Sequence, residues 1–219
     1  MARIARVVVP GLPHHITQRG CRRQQIFFSP GDYNYYLKLL SSAKTDAGVA
    51  VWAYCLMPNH VHLIVVPEHE KSLSDLFRLA HRKYAMTINK RMQWKGHLWQ
   101  ERFHSFVMDE PHLFAAARYV ELNPVRARLC AEPLDWQWSS ARAHLDGKDD
   151  KLVVVKPLLE RIPDWYEYLS KSDQSVSTDV IRKHSRTGRP AGDEVFISRL
   201  EFLINRPLKK RKPGPKPTD

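Results

Sequence analysis

Residues 57–66 read MPNHVHLIVV and form the most informative segment of the chain. From His60 onward the segment is dense in β-branched and aliphatic residues and ends at Pro67, which predicts a β-strand. Successive side chains of a strand point to opposite faces, so His60 and His62 are expected on one face, about 7 Å apart. Aliphatic side chains on both faces indicate a central, mostly buried strand.

Two imidazoles in this arrangement can share one metal ion. The alternative is a pair of core histidines that are each hydrogen-bonded to the backbone or to a neighbour, because buried polar rings need partners. Histidine-triad nucleotide hydrolases are an enzyme alternative, but they carry a third histidine two residues further on, where this chain has Ile64. We therefore prefer a metal site at His60 and His62.

The composition favours a folded, nucleic-acid-binding protein. The 219 residues suffice for one medium domain with an appendage or for two small domains, and the net charge is +12. This charge favours nucleic acid over a membrane surface, since no run of about 18 uncharged apolar residues and no lipidation signal is present. The three cysteines lack CxxC spacing, and the N-terminus lacks a signal-peptide pattern, so we expect a cytoplasmic protein.

The order of predicted elements indicates an α+β fold, an antiparallel sheet with helices mainly on one face. The strand that precedes the histidine strand should form a hairpin with it through Pro58 and Asn59. A capping-box pattern, Ser72 with Asp75, starts the second helix. The other predicted elements are strands over residues 14–19, 49–57 and 105–109, a helix from Pro30 that stops at Gly48, a helix from Pro111, and a short helix over residues 125–129.

The C-terminal part has weaker signals. Residues 157–169 are predicted to form one amphipathic helix, and two short helical runs flank residues 187–192. This pattern is compatible with a helix-turn-helix unit but is shared by many small helical pairs. Residues 206–219 are basic and rich in proline, which predicts a disordered tail suited to sequence-independent phosphate contact.

Several cations and one aromatic residue are candidates for DNA contact. Three arginines crowd the turn after the first strand, the second helix has a basic face that also includes His81, and a tryptophan stands near an arginine, a mixture that stacks on bases and holds phosphates. The alternatives are solvated surface charges and a tryptophan that anchors the core. The candidates are Arg19, Arg22, Arg23, Arg82, Lys83, Trp99, Arg102, Arg126, Lys209, Lys210 and Arg211.

Tyr119 is the candidate nucleophile for phosphate chemistry. A metal ion at the histidine pair would polarise a phosphate oxygen, and a tyrosine ester of phosphate keeps the energy of the cleaved bond. A phenol is almost wholly protonated at neutral pH, so a nearby cation must assist it. Asn123 shares a helix face with Tyr119, although Pro124 follows it. The alternatives are a core tyrosine and a helix-capping asparagine.

Four motifs, in this order, resemble the HUH single-tyrosine transposases and more narrowly the REP-associated tyrosine transposases of bacteria. They are PGLPHHITQRG at residues 10–20, MPNHVHLI at 57–64, LWQERF at 98–103 and YVELNPVRA at 119–127. The resemblance covers about residues 1–145. It implies a ferredoxin-like catalytic domain over residues 1–145. The sequence pattern itself adds a helical region, 146–205, which is a second candidate for DNA binding, and the basic tail, 206–219.

The resemblance also implies an activity. His60 and His62 would bind Mg²⁺ or Mn²⁺, and Tyr119 would attack single-stranded DNA to give a 5′-phosphotyrosine and a free 3′-OH. Asn123 stands where insertion-sequence relatives carry a metal-binding Gln, so it is the candidate third ligand, although it is one methylene shorter. Ligand chemistry alone makes zinc or manganese as natural as magnesium. The implied substrate is a short palindromic hairpin with a flanking single-stranded tetranucleotide.

Three functional hypotheses follow. The first and preferred one is a metal-dependent strand transferase acting on repeat hairpins. The second is a regulator of the same fold that binds the hairpins without cutting, and the third is a metal-dependent hydrolase that uses water in place of Tyr119. Relatives from insertion sequences act as dimers, whereas the extra C-terminal region here favours a monomer.

Overall fold

In a computed structural model, which describes residues 5–171 and 176–209, the described strands form one antiparallel sheet of order β2-β3-β1-β4. The histidine strand, β3, is an inner strand, as predicted. The strands are β1 (His14–Arg19), β2 (Val49–Met57), β3 (His60–Pro67) and β4 (His104–Val107).

The helices of the described residues follow most of the predicted pattern. The first begins at a capping box in which Ser29 and Asp32 bond each other's backbone amides, with Pro30 in the first turn. The helices are α1 (Pro30–Lys44), α2 (Ser72–Met92), α3 (Glu110–Glu121), α4 (Asn123–Arg126), α5 (Ala141–Leu145), α6 (Lys156–Leu159), α7 (Trp165–Ser170), α8 (Thr178–Thr187) and α9 (Glu194–Leu203).

Both faces of the sheet are covered. The two longest helices, α1 and α2, pack on the face that carries Leu63 and Val65. The opposite face, which carries Ile64 and Phe106, packs against α3 and the shorter helices near it. The predicted α+β class, an antiparallel sheet with helices, is confirmed, and α3 adds helical cover to the second face.

The hairpin of β2 and β3 forms as predicted. Met57 pairs with His60, so Pro58 and Asn59 are the two loop residues. β1 lies antiparallel to β3 on its other side, with Arg19 opposite His60. The turn therefore places the start of the histidine strand beside the end of β1.

Two predictions about helices are wrong. The single helix predicted over residues 157–169 is split into α6 and α7, because Pro163 disfavours helical geometry at the residue before it and Asp164 caps α7. The capping box predicted at Ser72 is also absent, since the Ser72 hydroxyl accepts a hydrogen bond from the amide of His69, which precedes α2.

The helical pattern predicts that His81 belongs to an exposed basic face of α2, and this prediction is wrong. Its Nε2 lies 2.8 Å from the Tyr36 hydroxyl oxygen, and its ring packs against Trp99. Arg82 and Lys83, the next two residues, are exposed.

The C-terminal helices pack on the sheet domain. α8 contacts α3, β1 and β4, whereas Leu200 of α9 is buried with Val107 and Leu208. Leu208 lies inside the segment predicted to be a disordered tail, of which residues 210–219 fall outside the described range. The three-segment division of the chain stays a prediction. No helix among the described residues is long and apolar enough to cross a membrane.

Candidate functional site

The sheet aligns polar side chains in rows across its strands. Arg19 on β1 is the cross-strand neighbour of His60. Thr17 lies between His62 on β3 and His104 on β4. Opposed residues of an antiparallel pair project from the same face, so all five side chains emerge on the face that α3 covers. The predicted placement of His60 and His62 on one face is confirmed, with ring centroids 4.8 Å apart.

α3 carries Tyr119 over this face. The helix is fixed at its start by Asp109, whose side chain accepts a hydrogen bond from the amide of His112. The Tyr119 ring stands edge-on to two imidazoles, with ring centroids 5.4 Å from His62 and 6.1 Å from His15. The structure therefore brings Tyr119 and the predicted histidine pair together, although the segments lie far apart in the sequence.

The hydrogen bonds around His60 fix its proton. The Asn59 amide nitrogen donates to the carbonyl of Arg23 at 3.1 Å, so the Asn59 side-chain oxygen faces His60. That oxygen lies 2.6 Å from His60 Nδ1 and can only accept. The proton of a neutral His60 is thereby assigned to Nδ1, and Nε2 keeps its lone pair.

His62 has a similar environment that is more deeply buried. Its Nδ1 lies 3.0 Å from Nε2 of His15, while its own Nε2 is buried and has no hydrogen-bond partner among the described residues. Burial, assisted by the nearby Arg19 cation, lowers the pKa of His60 to about 3. Burial, followed by the neighbouring His60 and His15 rings, holds the pKa of His62 well below its usual value. Both rings are therefore neutral at physiological pH, which is the state that binds metal ions.

These residues fit a metal site with two imidazole ligands. The unpartnered Nε2 of His62 and the lone pair assigned to His60 are the expected donors. Within residues 5–171 and 176–209, no three His, Cys, Asp or Glu side chains form a group that could hold an ion. Asn123, the candidate third ligand, is buried in α4 with an unpartnered side-chain nitrogen, but it is not among the described residues that line the cleft at the histidines.

Two arginines flank Tyr119. The guanidinium of Arg126 lies 4.3 Å from the ring centroid and donates a hydrogen bond to the Tyr119 carbonyl. Arg182, on α8, lines the same cleft as Tyr119, and its interaction with the Tyr119 side chain is the largest cause that raises the pKa of Arg182. Asp179, one turn earlier on α8, accepts a hydrogen bond from Arg182 at 3.2 Å. Arg182 thus places a cation beside Tyr119, the candidate nucleophile.

Two open clefts meet at Tyr119, and each is basic. The cleft that contains His60 and His62 has a volume of about 590 Å³, and the cleft on the other side of Tyr119 about 710 Å³. Among the described lining residues, each cleft has four Lys or Arg and two Asp or Glu. The cations are Arg19, Arg23, Arg182 and Arg186 in the first cleft, and Arg118, Arg126, Arg161 and Lys171 in the second.

The other candidate DNA contacts lie apart from these clefts. Arg22 and Arg102 are exposed, and so are Arg82 and Lys83 on α2. Trp99 packs on His81 and Tyr84 and donates its ring N–H to the His81 carbonyl. Lys209 is exposed beyond α9, and Lys210 and Arg211 lie outside the described residues.

Sequence reasoning missed several residues of the site. Alternation along β1 could have suggested Thr17 and His15, because their side chains point to the same face of the strand as that of Arg19. Only the pairing of β1 with β3 places them beside His60 and His62. No local signal pointed to His104 or to the α8 residues. The missed cleft residues with polar or charged side chains include Thr17, Gln18, Gln100, Glu101, His104, Asp179, Arg182, Ser185 and Arg186.

Comparisons with known proteins support one family. A family model described as "Transposase IS200 like" matches residues 8–123, slightly more than half of the chain. A comparison with curated proteins found no match.

Two solved structures are similar to this chain. One, described as a REP-associated tyrosine transposase bound to a REP hairpin, has 20% identity and a TM-score of 0.57, with 70% of this chain and 92% of that chain covered. A candidate transposase from Deinococcus radiodurans has 22% identity and a TM-score of 0.39, with 55% of this chain and 96% of that chain covered. At this identity, the first likeness establishes a shared fold.

Proposed function

Because the chain belongs to the IS200-like transposase family, we propose that it is a metal-dependent single-stranded DNA endonuclease and strand transferase. It acts on palindromic repeat hairpins through a 5′-phosphotyrosine intermediate. The observation that carries this proposal is the position of the Tyr119 ring, 5.4 Å from the ring of His62 at the meeting point of two basic clefts.

Tyr119 is the nucleophile in this mechanism. Its hydroxyl oxygen attacks a backbone phosphorus, a new O–P bond forms, and the bond from phosphorus to the 3′ oxygen breaks. The phenol proton leaves to water, and the departing 3′ oxygen takes a proton from water. The downstream strand is then joined to Tyr119 through its 5′ phosphate, and attack by a 3′-OH reverses the step without an external energy source.

His60 and His62 would hold a divalent cation, Mg²⁺ or Mn²⁺, through their Nε2 atoms. When bound, the ion would act as a Lewis acid on a phosphate oxygen and help to orient the scissile bond. Two protein imidazoles leave coordination positions for the phosphate and water. Asn123 remains a candidate further ligand, since its side-chain nitrogen has no hydrogen-bond partner among the described residues and amide rotation would exchange that nitrogen for the oxygen.

Arg182 stabilises the negative charge that develops on the Tyr119 oxygen. Its interaction with the Tyr119 side chain is supported by Asp179, which accepts a hydrogen bond from the guanidinium and orients it. The cation comes from the same chain as the nucleophile, which supports a monomer that needs no residue from a second subunit.

The two clefts suit the DNA strand on either side of the cut. Each carries four cationic side chains among its described lining residues, and phosphate contacts dominate the affinity of proteins for nucleic acid. The solved relative described as bound to a REP hairpin supports a hairpin as the ligand. Arg19 and Arg23 are the expected contacts near the histidines.

The test is a denaturing gel of single-stranded repeat-hairpin DNA incubated with the protein and Mn²⁺ or Mg²⁺. A 3′-end label should move to a covalent protein band, whereas a 5′-end label should appear in a shorter fragment with a free 3′-OH. Both signals should be absent from Tyr119→Phe and from the His60→Ala/His62→Ala double variant. Tyr166→Phe, at an exposed position on α7, is the matched control and should react normally.

The products distinguish the three hypotheses. An adduct that persists in Tyr119→Phe would refute the assignment of the nucleophile. Cut DNA free of protein would favour a hydrolase, and hairpin binding without any cut under either metal would favour a regulator.

Arg182→Gln tests the role of α8 in the same assay. We expect single-turnover adduct formation to slow by about 10²-fold, the low end for the loss of one donor to a developing oxyanion. Arg199→Gln, an exposed arginine on α9, should leave the rate unchanged. An unchanged rate in Arg182→Gln would show that the Arg182 guanidinium has no part in the reaction.

A further inference from the structure

His15 touches the proposed metal site without being one of its expected ligands. It lies on β1, is 1% exposed, and stands in a row between Ile64 on β3 and Phe106 on β4. Its ring is stacked on that of His62, with centroids 5.2 Å apart and planes inclined by 5°. The His15 and His62 rings therefore pack on each other as well as being joined by a hydrogen bond.

The bond between the two rings can have its proton on either side. His15 Nε2 and His62 Nδ1 are 3.0 Å apart and share one proton. If His15 donates, the single proton of a neutral His62 must sit on Nε2, where it would be a buried donor without a partner among the described residues. If His62 donates, its Nε2 keeps a lone pair that is free to bind a cation.

His60 supports the second arrangement. Its Nδ1 donates to the Asn59 side-chain oxygen at 2.6 Å, so its Nε2 also keeps a lone pair. When His62 donates to His15, the proton of His15 moves to Nδ1, which lies 3.4 Å from the Ser185 hydroxyl oxygen. Ser185 can accept there, so every proton in the chain of contacts has an acceptor.

We propose that His15 is a positioning residue for the metal site: its Nε2 accepts the Nδ1–H of His62 and so directs the His62 Nε2 lone pair toward the ion. This inference rests on the proposed function, because it requires an ion at the histidine pair. Outer-shell partners of this kind fix the tautomer and the ring orientation of a ligand, and their loss typically costs 10–100-fold in metal affinity.

Ser185 gives the C-terminal helix α8 a second contact with the site. The first is the interaction of Arg182 with Tyr119 in the cleft that both residues line, and the second runs from Ser185 through His15 to His62. The same helix thus contacts both the nucleophile and the outer shell of the proposed metal site, although it lies outside the segment that the family model matches.

The test is calorimetric titration of the full chain with Mn²⁺, in a Tyr119→Phe background so that no DNA chemistry interferes. His15→Leu removes the acceptor but keeps a buried side chain, and we expect the Mn²⁺ dissociation constant to rise about 10–100-fold. His15→Gln offers an amide oxygen as acceptor and should restore part of the affinity.

His14→Gln is the matched control. His14 is the adjacent buried histidine, but it faces the other side of β1, where its ring accepts from the Val9 amide and bonds the Leu12 carbonyl. The His14→Gln variant should keep the Mn²⁺ affinity of the parent even if its melting temperature is lower. If His15 has a purely structural role, His15→Leu and His14→Gln should lower the melting temperature equally, and neither variant should change the Mn²⁺ affinity. That result would overturn the proposal.

A second measurement does not depend on any variant folding. Two-bond ¹H–¹⁵N correlation spectra of the histidine rings report which nitrogen is protonated. We expect His62 in the Nδ1–H form in the metal-free protein, and an Nε2–H form would overturn the proposal. If the parent protein binds no Mn²⁺ while His62 shows the Nδ1–H form, the metal-dependent function fails although the tautomer is the expected one. This outcome separates a failure of the proposed function from a failure of the inference about His15.

Discussion

Glu121 offers a test of how the C-terminal segments are held against α3, the helix that carries Tyr119. It lies two residues after Tyr119 on α3 and is completely buried. Its side chain accepts hydrogen bonds from Ser140 Oγ at 2.6 Å, from His144 Nδ1 at 2.6 Å and from Trp165 Nε1 at 2.7 Å. All three neighbours donate, so the site requires an acceptor at both oxygens.

Glu121→Gln keeps the shape of the side chain and changes one acceptor into a donor. The amide oxygen can keep the two bonds that now reach Oε1, while the amide nitrogen would face the Trp165 N–H, donor against donor. Losing a hydrogen bond to a charged group costs about 1.5–3 kcal/mol, and leaving a buried donor unsatisfied costs about 1–3 kcal/mol more. The expected loss in the free energy of unfolding is therefore about 2.5–6 kcal/mol.

The assay is urea unfolding followed by tryptophan fluorescence and by circular dichroism. With an m-value of about 2.5 kcal/mol/M, the midpoint should fall by about 1–2.5 M. Glu110→Gln is the control, because Glu110 is an exposed partner of Arg161 and its loss should change the unfolding free energy by no more than about 0.5 kcal/mol. A midpoint for Glu121→Gln within about 0.3 M of the parent would refute the claim that the three bonds stabilise the fold.

Three further outcomes follow from single contacts. Burial works to raise the pKa of Asp32, but hydrogen bonds from Arg91 and from backbone amides hold this pKa below its ordinary value. The contribution of Asp32 to stability is therefore full above about pH 4 and is lost as the pH falls through the lower pKa of the folded state. The urea midpoints of the parent and of Asp32→Asn should accordingly converge toward pH 2. Gly20→Ala places a Cβ 2.4 Å from a backbone carbonyl oxygen and should lower the melting temperature by several degrees, whereas Gly31→Ala, with only a 3.6 Å contact, should not. Burial raises the pKa of the Cys55 thiol, so Ellman's reagent should label the other two cysteines first and Cys55 only after denaturant is added.

Local patterns were sufficient to predict the centre of the fold. The hairpin could be predicted because both of its strands are continuous apolar runs joined by Pro58 and Asn59, and strand alternation alone placed His60 and His62 on one face. The break between α6 and α7 was missed because apolar spacing across residues 157–169 outweighed the local effect of Pro163.

The rest of the site depends on long-range packing that no local pattern encodes. His15 acquires its contact with His62 only through the register of β1 against β3. Arg182 reaches Tyr119 only because α8 packs on α3, and the apolar contacts that seat α8, such as buried Ile181, look like those of any short helix. Charge alone did not single out Arg182 in a chain with 35 Lys and Arg residues.

The stability of the fold and the geometry of the site depend on the same helix. Glu121 ties α3 to the segments that carry Ser140 and Trp165, and two residues earlier the same helix presents Tyr119 to His62 and Arg182. A change that loosens the Glu121 bonds is therefore expected to slow adduct formation even under conditions where the protein remains folded, because a displacement of about 1 Å at a reacting group can cost about 10²-fold in rate. If Glu121→Gln unfolds more easily yet forms the adduct at the parental rate in the absence of urea, the bonds at Glu121 stabilise the C-terminal segments without positioning the nucleophile.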